Sequence, residues 1–271
     1  MSTRFKYRSN EKELLDETNL QQDLLFKNLR ELDILNRTTG GHAISLKGLK
    51  QLVRDHARIY HIVDLGCGSG DSLKAIADWA RENNFNVKLT GVDLNADVID
   101  YLGKHCRAYP EITGILSNYQ EFLDRNTSVD IVHCSLFCHH LNENELIKLF
   151  TYFSNKVTTG FIINDLRRNW VAYYSAWLFT RLLNGTILAK NDGPVSVLRA
   201  FKVSELKHLF ERANIKNYII QKKRLFRFLI VGKTSNYETS SVNRSPDCWR
   251  RTNRSDDGLS VSCSPGFVSY Y

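Results

Sequence analysis

The sequence predicts an α/β fold, an open, doubly wound and mainly parallel sheet with helices on its faces. Three observations predict it. A short β-type apolar run at residues 62–65 passes through Gly66-Cys67-Gly68-Ser69-Gly70-Asp71 into helix-period residues 72–80. A second strand pattern, residues 87–94, carries an acid, Asp93, at its end. Further strand patterns at 129–136 and 160–166 alternate with helical stretches, the signature of crossover-linked parallel strands.

Taken in order, residues 10–60 read as helical. Leu14, Leu15, Leu24, Leu25, Leu29, Leu32 and Leu35 recur with roughly helical spacing up to a polar turn, Asn36-Arg37-Thr38-Thr39-Gly40-Gly41-His42. After the second strand, Asn95 or Asp97 is placed to cap the next helix. Residues 143–150 read as a helix. Residues 170–183 are the most aromatic stretch of the chain and apolar nearly all round, so something must cover them. Asn191-Asp192-Gly193-Pro194 reads as a turn, Ser204 sits ahead of a helix ending near Asn214, and residues 218–221 and 225–231 supply the last two strands.

The glycine turn carries the chemistry. In an open α/β sheet this first strand-to-helix turn is where nucleotide-like ligands bind, and glycines there let a ligand approach the backbone. Spacing selects among ligands. The dinucleotide fingerprint needs a third glycine where Asp71 stands, and no Gly-Lys-Ser/Thr follows for a phosphate loop. An acidic loop suits a ligand with positive charge. A carboxylate at Asp93 can accept hydrogen bonds from both hydroxyls of a ribose, or serve only as a helix cap.

On these residues the chain resembles the class I S-adenosylmethionine-dependent methyltransferases. Their first motif, Asp-Leu-Gly-Cys-Gly-x-Gly, is present as Asp64 to Gly70, and their strand beneath the transferred methyl often ends in His-His-Leu, here His139-His140-Leu141. The matched segments span about residues 55–165, in the family's order. The resemblance implies a Rossmann-like, seven-stranded sheet with an antiparallel last hairpin strand and an N-terminal helical cap. It implies S-adenosyl-L-methionine as cofactor, held by Asp64, Gly66, Cys67, Gly68, Gly70, Asp93, Leu94 and Ser135. Many relatives place an Asp after the third strand for the adenine amino group; Asn118 stands in that region and offers its side-chain oxygen instead.

Methyl transfer to a neutral hydroxyl needs positioning and a base, which histidine provides near neutral pH. His139 or His140 is the expected base, with Asp165 or Arg167 orienting the acceptor; packing or helix capping is the alternative for one of the histidines. His42 is placed to line the site, or else Gly40 or Gly41 merely ends a helix. Tyr173, Tyr174 and Trp177 form a lid over an apolar acceptor, or they pack under a neighbouring helix. No metal is expected: Cys134, Cys138, His139 and His140 lack a common zinc spacing, and adjacent histidines on a strand point to opposite faces.

The polar turn at 36–42 together with residues 191–201 resembles bacterial small-molecule methyltransferases of secondary, polyketide-type metabolism. That implies a phenolic, quinone-like or polyketide acceptor, methylated on oxygen. Two other classes stay open. A nucleic-acid methyltransferase would use the basic surface, although Ser135-Leu136-Phe137-Cys138 stands where amino-methylating types carry Asn/Asp-Pro-Pro-aromatic. A non-catalytic S-adenosylmethionine-binding protein is the other.

Length and composition fit one main domain, residues 56–234, behind an N-terminal cap, residues 1–55. The 271 residues, 42% of them hydrophobic, bury a sizeable core. No apolar run reaches membrane-span length, and six cysteines without a paired framework suit a reducing cytoplasm. The net charge of +8 arises in the body, notably Arg4, Lys6, Arg8 and Lys222-Lys223-Arg224. In the tail, Arg244, Arg250, Arg251 and Arg254 are matched by Glu238, Asp247, Asp256 and Asp257. Such a net charge is a solvated face or meets an acidic partner, anionic lipid or nucleic acid. Residues 235–271, rich in Ser, Arg, Asn and Asp, are expected to be disordered. Oligomeric state is left open.

Overall fold

In a computed structural model that describes residues 3–16, 20–125 and 128–234, seven strands form one sheet. They are β1 (Ile59–Leu65), β2 (Asn86–Asp93), β3 (Ile112–Leu116), β4 (Val129–Ser135), β5 (Val157–Leu166), β6 (Tyr218–Lys223) and β7 (Arg227–Lys233). Their order is β3-β2-β1-β4-β5-β7-β6. Only β7 runs antiparallel to its neighbours, as expected of the mainly parallel sheet with an antiparallel last strand. The chain winds outward from β1 to β3 and then returns to lay β4 on the other side of β1. This reversal opens a crevice at the carboxyl ends of β1 and β4.

Nine helices are described: α1 (Gln22–Thr38), α2 (Gly41–Leu52), α3 (Asp71–Glu82), α4 (Ala96–His105), α5 (Tyr119–Asp124), α6 (Glu143–Lys156), α7 (Trp170–Leu182), α8 (Ile187–Arg199) and α9 (Val203–Arg212). Leu73, Ile76, Ala77 and Ala80 recur at helical spacing on α3 and are all buried. Alternation along the strands feeds two cores. Ile162 of β5 joins Leu49, Leu52 and Leu73 on one face, while its neighbours Phe161 and Ile163 join Phe150, Phe153 and Phe210 on the other. Asn95 caps α4 by accepting from Asp97 N and Val98 N, and Asn142 with Glu145 forms a capping box on α6.

The N-terminal helices form a cap. A Cβ on Gly48 would lie 2.8 Å from Ile162 Cγ2, so α2 rests directly on β5 and shares the main core, while α1 lies across the crevice. Residues 191–194, read as a turn, lie inside α8. Burial of Val195, Val197 and Leu198 outweighs the one ladder bond that Pro194 removes, and the Asp192 carboxylate accepts from Leu14 N and Leu15 N at 2.8 and 2.9 Å. Ser204 lies within α9, whose start is closed by Glu205 accepting from Lys202 N. The last strand begins two residues later than predicted because Leu225 and Phe226, at φ 53° and 57°, make the hairpin turn. The tail at 235–271, expected to be disordered, lies outside the described residues.

Candidate active site

A cavity of about 610 Å³ occupies the crevice, roofed by Leu25, Leu29, Leu32 and Asn36 of α1. Of the residues expected at the cofactor, Asp64, Gly66, Cys67, Gly68, Asp93, Leu94, Asn118 and Ser135 line it, and Gly70 does not. The three loop glycines all have positive φ but differ in what replaces the missing Cβ. At Gly66 that space is filled by the Phe137 ring, and at Gly70 it holds Cys106 Sγ at 2.8 Å. Gly68 meets only Leu29 Cδ2 at 3.7 Å. Gly68 alone leaves its backbone open to a ligand; the other two let the loop pack.

Asp93 points back at this loop. Its Oδ2 accepts from Gly68 N at 3.3 Å and its Oδ1 from Asn95 N at 3.1 Å, leaving a lone pair on each oxygen. Burial raises its pKa, with these backbone bonds opposing. Burial likewise pushes the Cys67 thiol up, so it sits there as a neutral group. Asn118 Oδ1 accepts from Gln120 N at 2.8 Å, capping α5, which engages the oxygen expected at adenine. The cavity wall contains six carboxylates, Asp16, Asp64, Asp71, Asp93, Asp97 and Glu145, and among the described residues no lysine or arginine.

The opposite wall is built around His139 and His140. Cys138–His140 form a 3-10 turn, so the two rings do not diverge as they would on a strand; their centroids lie 4.3 Å apart. His139 is buried between two carboxylates. Its Nδ1 lies 2.7 Å from Asp165 Oδ1 and its Nε2 lies 3.4 Å from Glu13 Oε1. Burial would depress its pKa, but the charges and hydrogen bonds of Asp165 and Glu13 override this and raise it to about 10. Burial would raise Asp165 and Glu13 as well, and His139 instead holds both below the usual carboxylate range. His139 and Asp165 do not reach the cavity; His140 does, beside Leu15, Asp16 and Leu141.

His140 Nδ1 is 2.8 Å from Asp16 Oδ1, and its Nε2 is 3.8 Å from Glu13 Oε2, beyond hydrogen-bond distance. His140 and Arg199 pull the Asp16 pKa down to about 2 against the opposing effect of burial. The ligand atoms of Glu13, His139 and His140 lie within 4.8 Å of one another, as do those of Asp33, His42 and Asp71. Two cations of the chain lie beside the first group: Arg199 Nε is 3.9 Å from Glu13 Oε1, and Arg8 donates to the carbonyls of His139 and Leu141. Glu13 and Asp16 were not singled out in the sequence. Two acids three apart on a short turn carry no signal that they reach across the fold.

Other expected residues fall elsewhere. His42 lies behind the glycine loop, its Nε2 3.4 Å from Asp71 Oδ2. Arg167 stacks over Phe226, outside the cavity. Tyr173 is buried against Phe5, while Tyr174 and Trp177 are exposed on α7; none of the three lines the cavity. A buried polar chain links the two halves of the site to the cap. Asn36 Nδ2 donates to Asp71, Arg227 donates to the side-chain oxygens of Asn36 and Asn164, and Asn164 Nδ2 donates to Ser45 Oγ. Ser45 Oγ in turn lies 2.8 Å from His133 Nε2, whose Nδ1 meets Asp64 at 2.7 Å. Burial lowers the Arg227 pKa to about 10, with Asp165 and Asp71 opposing.

A family described as a methyltransferase domain matches residues 62–160. No curated protein sequence matches the chain. The fold is similar to that of a Nostoc punctiforme protein described as an O-methyltransferase, at 16% identity and TM-score 0.52, over 76% of this chain and 60% of that one. It is similar to human N-acetylserotonin methyltransferase in complex with SAM, at 13% identity and TM-score 0.56, over 79% and 56%. The chain thus spans about three fifths of the length of these two. The plantazolicin methyltransferase BpumL, in complex with a triazolic desmethylPZN analogue and SAH, matches at 13% identity and TM-score 0.59, over 79% of this chain and 98% of that one. The strand order, the glycine turn and these likenesses together show the class I S-adenosylmethionine-dependent methyltransferase fold.

Proposed function

We propose that the chain transfers a methyl group from S-adenosyl-L-methionine to the hydroxyl of a small, apolar acceptor of phenolic, quinone-like or polyketide type. The cavity carries this reading: one continuous space joins the Gly68 and Asp93 wall to the His140 and Asp16 wall. Its donor set fits the cofactor. Six carboxylates without a lysine or arginine among the described lining residues suit a sulfonium and an ammonium and disfavour a phosphate or a nucleic-acid strand. When bound, the cofactor supplies a methyl group activated by a positively charged sulfur leaving group.

The chain's residues do the rest. The free lone pairs of Asp93 take the ribose hydroxyls, and the open face of Gly68 admits the methionine part. Leu15, Leu29, Phe137 and Leu141 exclude water and hold the acceptor's apolar body. His140 accepts the acceptor's proton at Nε2, while Asp16 at Nδ1 fixes the tautomer and steadies the resulting cation. His139, enclosed by carboxylates, braces this wall rather than exchanging protons. The four buried free cysteines among the described residues support work in a reducing cytoplasm.

Asp93→Ala tests the cofactor half. It removes a charge-assisted acceptor worth about 1.5–3 kcal/mol, so calorimetric titration with S-adenosylhomocysteine should show roughly tenfold weaker binding or more. Unchanged affinity would overturn the ribose assignment.

A further inference from the structure

Helix α7 is the part of the molecule that the proposed reaction does not use. Its inner side packs against α8, where a Cβ on Gly193 would lie 3.3 Å from Thr180 Cγ2, and against Phe5 through Tyr173. Its outer side and the turn beyond it present Trp170, Tyr174, Trp177, Phe179, Leu182 and Leu183, each between 44% and 77% exposed. Five large apolar side chains on one short helix, with Leu183 directly after it, exceed the scattered exposure of an ordinary surface.

Charge around this face has one sign. Residues 166–191 contain no Asp or Glu, only Arg167, Arg168, Arg181 and Lys190. Arg181 stacks over Trp177, and at the other end Arg4 stacks over Tyr173. The acids that reach the segment from outside are engaged: Asp165 accepts from Leu166, Glu31 from Thr186 and Asp192 from Asn191, and Glu205 pairs with the buried Arg168, which leaves Arg167, Arg181 and Lys190 as the cations of this region. A two-fold contact with a second copy would set Arg181 against like charge with no carboxylate to meet it.

We propose that the outer face of α7 docks on an anionic lipid bilayer. Thirteen residues make a helix of roughly 20 Å, shorter than the hydrocarbon core, and no helix among the described residues is long and apolar enough to cross a membrane. The helix therefore lies in the interface plane. Trp and Tyr favour the headgroup level there, Leu and Phe reach the acyl chains, and the cations meet lipid phosphates. This docking goes beyond the proposed reaction and does not depend on the acceptor.

The test is sedimentation of the full chain with phosphatidylglycerol–phosphatidylcholine vesicles, read with tryptophan emission. Binding with a blue shift is expected, weakened about tenfold or more on phosphatidylcholine alone or at raised salt. The exposed double variant Phe179→Ser/Leu182→Ser, and separately Arg181→Glu, should each lose binding while keeping the parent circular dichroism. The proposal fails if the chain does not sediment with anionic vesicles, or if both variants bind as the parent does. It also fails if binding appears only after residues 235–271 are removed, which makes the tail the occupant, or if light scattering shows a dimer that the double variant dissociates.

Discussion

His140→Ala is expected to slow methyl transfer by about 10²–10⁴-fold while leaving S-adenosylhomocysteine affinity unchanged. His140 is the member of the histidine pair that lines the cavity, with Asp16 on Nδ1 and Nε2 outside hydrogen-bond distance of Glu13. His140→Gln keeps a polar side chain but cannot take the proton, so it should be nearly as slow. Asp16→Asn should show a smaller loss, because it disturbs orientation rather than removing the base. The measurement is turnover on a panel of phenols and quinols at saturating cofactor, paired with calorimetry. Parent-like turnover by both His140 variants on a weakly acidic phenol would assign the rate to proximity alone.

Asp165→Asn is expected to cost about 3–5 kcal/mol of stability, because it strips a buried cation of its principal partner. The pH dependence follows from the directions of the shifts. His139 is raised from 6.5 to about 10, so its stabilisation is full below the unfolded value and is lost as pH rises towards 10. Asp165 and Glu13 are lowered, so theirs is present above the ordinary carboxylate range and lost as pH falls through the folded values. The cluster therefore stabilises most between about pH 4.5 and 6.5. Urea melts at about pH 6 and pH 9 should show a decline in the parent that Asp165→Asn flattens. A parent stability constant across that interval would mean that His139 is neutral in the fold.

The glycine-loop wall of the cavity was legible because each part is written in a few consecutive residues. Strand, glycine turn and helix lie within residues 59–82, and Asp93 ends the strand paired in register with β1. The histidine wall was only half legible. His139 and His140 stand out as a pair, but Asp16 reaches His140 across 124 positions, and no periodicity records such a pairing. Even the direction of the two rings depended on a 3-10 turn that a strand pattern conceals. The aromatic run at 170–183 showed that something must cover it, and pattern alone does not say what. The Gly193-Pro194 pair signalled a break that packing of α8 overrode.

The polar chain from Asp71 through Asn36, Arg227, Asn164 and Ser45 to His133 and Asp64 begins and ends on residues that line the cavity, and it passes through the junction between α1 and α2. A buried guanidinium whose hydrogen bonds go to amide oxygens holds the chain at its centre. Loosening one of its inner members, Arg227, Asn164, Ser45 or His133, leaves buried polar neighbours unsatisfied, so the junction and the glycine loop order or disorder as one cooperative unit. Filling the cavity and seating the roof are then two readings of a single equilibrium. By reciprocity, whatever tightens one must tighten the other by the same free energy.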